Sequence, residues 1–165
     1  MKFQILLCAF LVSCSLAEAR LFESRLELTQ RFGTFTKVPG TGSYKSEQYR
    51  FSKDGWTINA WLINDECHCI TYHVPTSAHL SAEQMAAVMT SNASDGKWEE
   101  VTETSTAILM LPFRQYLIRK FVRSDKAAWC SKLASSITFT SSRWERFKKD
   151  AEDARITKRE AVPSF

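Results

Sequence analysis

Between Glu47 and Val74 the chain alternates apolar and polar residues for nearly thirty positions, broken twice by turn-forming dipeptides. Tyr49 and Phe51 lead into Lys53-Asp54-Gly55. Trp56, Ile58, Ala60 and Leu62 lead into Asn64-Asp65, and Cys67 to Val74 returns with Ile70 and Tyr72. A period of two puts successive side chains on opposite faces of a strand. Asp-Gly and Asn-Asp tolerate the positive φ that tight hairpin turns require. The pattern predicts a three-stranded antiparallel meander with one oily face, and that face needs a covering layer.

Helical spacing supplies the cover. In Arg20–Gly33, Leu21, Leu28 and Phe32 fall on one face, and Gly33 suits a left-handed stop. Ser81 with Gln84 forms a capping box for a second helix, with Met85, Val88 and Met89 on its inward face. Ser142 with Glu145 reads as another box, opening a helix that aligns Trp144, Phe147 and Ala151. Thr34–Tyr44 reads as a loop. Trp98–Val101, Ala107–Leu111, Tyr116–Val122, Ala127–Lys132 and Ile137–Thr140 read as strands, with Ser124-Asp125 as a hairpin turn.

The expected fold is therefore α+β: an antiparallel sheet with helices packed on one face. The order of elements suggests a tandem duplication of a helix-plus-three-strand unit. Residues 20–78 form the first unit. Residues 79–160 form the second, compact with the first, and 161–165 form a tail.

The start of the chain addresses location. Met1-Lys2, the apolar run Phe3–Val12 and Ala17-Glu18-Ala19 make a signal-peptide pattern over residues 1–19, cut before Arg20. The run is too short to span a bilayer, and no later segment reaches the ~20 residues needed. An exported protein, periplasmic or secreted, is expected. Leu11-Val12-Ser13-Cys14 offers the alternative of lipid anchoring through Cys14. Cysteines 67, 69 and 130 remain in the mature chain. They read either as a disulfide from Cys130 to Cys67 or Cys69 with one thiol left over, or as three small buried hydrophobes.

The opening helix ending Arg31-Phe32-Gly33, followed by Tyr49-x-Phe51-x-x-Asp54-Gly55-Trp56 and a hairpin, resembles small exported bacterial proteins of the SmpA/OmlA type. More broadly it resembles the beta-lactamase-inhibitory-protein-like fold. That resemblance covers Arg20–Val74 best, and Phe22-Glu23-Ser24 stands where the family has Gly-x-Thr. It implies helices on one sheet face and a protein-binding or envelope-assembly role without catalysis.

Two groups of residues could carry chemistry. In an unbroken strand Cys67, Cys69 and His73 share one face, offering two thiolates and an imidazole suited to Zn²⁺ or Cu(I). The facing strand is apolar, which fits structural cysteines better, and Cys-x-Cys is not a zinc-ligand spacing. A Cys–His nucleophile is disfavoured because His68 falls on the opposite face. No Gly-x-Ser-x-Gly elbow is present. The expectation is a non-enzymatic binding module without a cofactor, with a metal or thiol protein as its rival.

The second group is charged. Residues 114–160 carry 13 basic against 6 acidic residues, whereas residues 20–113 carry 8 against 11. Arg119, Lys120, Arg123 and Lys126 interleave with Phe121 and Trp129. With Trp61, set opposite the Trp56 face of its strand, they are the candidate partner-binding residues. Export argues against nucleic acid and leaves a protein, an anionic glycan or lipid head groups as partners. Mass spectrometry of the exported protein should find Arg20 at its amino terminus; an acylated Cys14 there would reverse that assignment.

Overall fold

The computed structural model describes residues 20–39, 46–75, 79–101, 109–111, 114–116 and 118–160. The leader with Cys14, the tail 161–165, and Ala107 and Ile108 of the fifth apolar run lie outside them. Among the described residues are three helices and ten strands. These are α1 (Arg25–Phe32), β1 (Phe35–Val38), β2 (Glu47–Lys53), β3 (Trp56–Ile63), β4 (Glu66–His73), α2 (Ala82–Ser91), β5 (Trp98–Glu100), β6 (Leu109–Leu111), β7 (Arg114–Tyr116), β8 (Arg119–Arg123), β9 (Ala128–Lys132), β10 (Ser136–Ser141) and α3 (Ser142–Glu160).

Eight strands form one antiparallel sheet in the order β1-β2-β3-β4-β10-β9-β8-β5, while β6 and β7 pair separately as a hairpin. The expected meander is β2-β3-β4. Its turns put Asp54 and Gly55 at φ 50° and 81°, and Asn64 and Asp65 at φ 54° and 64°. Those are the left-handed values that these residues accept most readily. Both segments, 20–78 and 79–160, contribute four strands to the same sheet and meet at the β4–β10 seam. The first segment therefore has four strands instead of three. Phe35–Val38, expected as loop, adds β1 at the edge by pairing with β2. Its side chains are largely exposed, so there is no burial alternation to announce it.

Helices α1 and α2 cover one face. Leu28 and Phe32 of α1 and Val88 of α2 join Tyr49, Phe51, Ile58, Ala60, Leu62, Ile70, Tyr72, Ile137 and Phe139 in the main core. Each helix starts with a complete capping box, Ser24/Glu27 and Ser81/Gln84, which satisfies two otherwise orphaned amide groups. The first helix is shorter than Arg20–Gly33 because Ser24 caps it. The residues before the cap instead run beside β4, with the Phe22 amide donating to the Cys67 carbonyl at 2.7 Å.

The third helix corrects the one-face expectation. Trp144 of α3 packs with Ile63, Cys69, Trp61 and Phe147 in a second cluster, separate from the main core and on the opposite side of the sheet. The cap of α3 is also one residue earlier than expected: Ser141 Oγ, not Ser142, accepts the Trp144 amide at 3.1 Å.

That Ser141 hydroxyl has a second partner, His68 Nδ1 at 2.9 Å. Replacing Ser81 by Ala should cost about 1 kcal/mol, the worth of a cap. Replacing Ser141 should cost about 2–4 kcal/mol, because it also strands a buried imidazole nitrogen. Urea unfolding of the two variants tests this, and equal losses would show that His68 gains nothing from Ser141.

Candidate functional site

The face opposite α1 and α2 is built from two rows of side chains crossing six strands. One row runs Gln48, Trp61, Cys69, Thr140, Trp129, Val122; the next runs Arg50, Asn59, Thr71, Thr138, Ser131, Lys120. Five strand spacings make each row roughly 24 Å long, and two residues along a strand separate the rows by roughly 7 Å. The first row is aromatic and weakly polar. The second is entirely polar, with a cation at each end.

The first turns of α3 rise along one side of these rows. Trp144 sits 6.3 Å from Trp61, ring centre to ring centre, and stacks on Phe147 at 5.7 Å. Sheet and helix enclose a groove of about 1010 Å³ lined by the first row, by Thr71, Thr138, Ser131 and Lys120 of the second, and by Trp144, Glu145 and Lys148; Arg50 and Asn59 lie beyond this lining. A groove of that size, aromatic on its floor and wall and polar along one margin, has the general make-up of a ligand site.

Within it the polar groups are held in place by one another. The Thr71 and Thr138 hydroxyls are 3.0 Å apart, and, past the groove's lining on the same row, Arg50 Nε donates to Asn59 Oδ1 at 3.1 Å. Lys148 pairs with Glu145 at 2.9 Å. Lys120 is exposed and forms no ion pair among the described residues.

The expected binding residues divide between the two faces. Trp61 and Lys120 line the groove. Arg119 and Arg123 point to the other face: Arg119 pairs with Glu100 at 2.6 Å and lies over the Phe121 ring, while Arg123 is buried and clamped to Asp125 at 2.8 Å. Lys126 sits exposed in the β8–β9 turn at φ 58°. The basic hairpin is thus not one patch, since alternation sends its odd and even residues to opposite sides. Trp61 is half-buried, and Trp129, at 37% exposure, is the more open of the two. Trp129, Trp144, Thr71, Thr138, Thr140 and Ser131 were not singled out as site residues. The visible signal for them was polar residues alternating with apolar ones in each of those strands.

The sulfur cluster does not form. A bulge breaks the β3–β4 register between Trp61 and Leu62: Leu62 faces Cys67 and Trp61 faces Cys69, leaving His68 as the extra residue. Cys67 therefore joins the main core, and Cys69 joins the opposite cluster with the side chain of His73 on its own face. Among the described residues no group of three metal-ligating side chains comes together.

All three cysteines are free and buried. Strand β10 separates Cys130 from β4, about 10 Å across two strand spacings and beyond the ~4.4–6.8 Å Cα span of a disulfide. Burial pushes the Cys69 thiol up to about 12 and the Cys67 and Cys130 thiols well above their ordinary range. They are poor nucleophiles and poor ligands in that state.

One arrangement mimics a catalytic triad. Glu66 Oε2 lies 3.3 Å from His68 Nε2, whose Nδ1 meets Ser141. Ser141 is fully buried and already occupied by the α3 amide, so its oxygen has no route to a substrate. The set is structural. Its imidazole is held below its usual pKa by burial, against the pull of Glu66, with Arg143 adding to the depression. Burial, with Arg50 adding to it, lowers His73 as well.

No family model matches this chain, and neither do characterised proteins or solved structures. Because both imidazoles bind protons more weakly folded than unfolded, stability is complete above the ordinary pKa of about 6.5 and declines as the pH falls below it. The urea midpoint should drop between pH 7.5 and 5.5, and less so in His68→Gln. A midpoint unchanged over that interval would contradict it.

Proposed function

We propose that this chain is an exported, non-enzymatic binding module whose ligand seats in the groove between the second sheet face and α3. The observation that carries the reading is the convergence of Trp61, Trp129 and Trp144 on a groove of about 1010 Å³ whose margin is the hydroxyl row Thr71, Thr138 and Ser131 ending at Lys120. Aromatic side chains bring a large contact area at little entropic cost, and the polar row supplies orientation. The two thiols along the groove, Cys69 and Cys130, are buried and held protonated. The signal-peptide pattern of residues 1–19 supports export. The convergence on a central seam of two segments, each a helix followed by four strands of the main sheet, supports an origin by tandem duplication.

The five tryptophans make their own test. Trp56 and Trp98 pack on the main core, and the Trp98 indole donates to the Met89 carbonyl at 2.8 Å. They serve as internal controls. Fluorine NMR of protein labelled with 5-fluorotryptophan, titrated with panels of oligosaccharides, amphiphiles and extended peptides, should shift Trp61, Trp129 and Trp144 together with one class of ligand. Trp56 and Trp98 should stay in place. If no class moves the groove trio, the reading fails. Stoichiometric zinc uptake, or fast reaction of three thiols with Ellman's reagent in the folded protein, would also defeat it and restore the metal or thiol alternative.

A further inference from the structure

We propose that the groove is specific for an acidic oligosaccharide, an inference that rests on the groove being the ligand site. A pyranose ring has two chemically different surfaces. Its C–H face is apolar enough to lie on an indole, and its hydroxyl rim needs a hydrogen-bond partner for each group. The two rows of the second sheet face present those surfaces side by side. Trp61 and Trp129 flank Cys69 and Thr140 in one row, and roughly 7 Å away run Thr71, Thr138 and Ser131, hydroxyls that both donate and accept. An amphiphile would make no use of the hydrogen-bonding capacity that the row retains beyond the Thr71–Thr138 bond. A bound peptide strand would need a free sheet edge, and these rows lie on a sheet face.

Charge decides the kind of sugar. The polar row ends within the groove at exposed Lys120 and runs past the groove's lining on the other side, along the same sheet face, to exposed Arg50. Lys148, across the groove, is neutralised by Glu145. Arg50 spends one donor on Asn59 and Lys120 has no ion-pair partner among the described residues, so two cations some 24 Å apart remain to meet carboxylate or sulfate groups spaced along a chain. A single small anion could satisfy only one of them.

The test is calorimetric titration of the purified protein with four probes: a heparin-derived hexasaccharide, hexagalacturonate, neutral maltohexaose and inorganic sulfate. The sulfated or the carboxylated hexasaccharide should bind, and the difference between them identifies which acid is read. Maltohexaose and sulfate should bind at least tenfold more weakly. Lys120→Gln and Trp129→Ala, both exposed and therefore tolerated by the fold, should each weaken binding by about tenfold.

Binding of neither acidic probe overturns the proposal, as does equal binding of maltohexaose. So does heparin binding that both variants leave unchanged, because that would place the contact on basic residues elsewhere, such as those of α3. If an amphiphile or peptide moves the groove tryptophans while the acidic sugars do not, the saccharide assignment falls and the groove stands. If nothing moves them, both fall.

Discussion

Everything in this molecule is arranged around a central strand that is buried on both sides. Strand β4 contributes Cys67, Ile70 and Tyr72 to the main core and Cys69 to the cluster under Trp144. Such a strand cannot keep a simple alternation, because neither side is a solvent face. The single-residue bulge at His68 lets Cys67 and Cys69 serve opposite layers. The displaced imidazole then finds Ser141 at the point where β10 becomes α3, so the bulge also fixes where that helix begins.

From that point follow the two unequal sides of the sheet. One carries α1 and α2 and is closed by a continuous aromatic and aliphatic core. Phe32 with Phe51, Tyr72 with Phe139 and Trp98 with Phe139 meet in tilted or edge-on contacts. The other carries one helix, and that helix touches the sheet mainly through Trp144 and Phe147, while residues 153–157 stand exposed. Partial cover leaves a groove where full cover would have made a second core.

The meander, its two turns and the capping box of α2 were legible because each is a local rule written in neighbouring residues: Asp54-Gly55, Asn64-Asp65 and Ser81/Gln84. The groove was less so. Trp61 and Lys120 could be named one at a time, but the two rows they belong to cross six strands whose order depends on the long-range pairing of β4 with β10. The common face assigned to Cys67, Cys69 and His73 failed for a related reason: one inserted residue reverses the parity of everything beyond it. The run Cys67-His68-Cys69-Ile70, four consecutive residues that all prove buried, held the only local hint. The side on which α3 would settle was invisible for the same reason, since an amphipathic stripe tells that a helix is covered, not by which surface.

The seam between the two halves sets the order in which the molecule can be assembled. Tyr72 meets Ile137 and Cys69 meets Thr140, partners separated by more than sixty positions along the chain. The hairpins on either side have short loops and close quickly, whereas the zipper between them must wait for a long stretch of chain to return. A polypeptide delivered amino-terminus first would spend that interval with the inner edge of β4 uncapped and both halves waiting for the last strand. The slowest and most aggregation-exposed moment of its maturation is therefore built into the middle of the sheet.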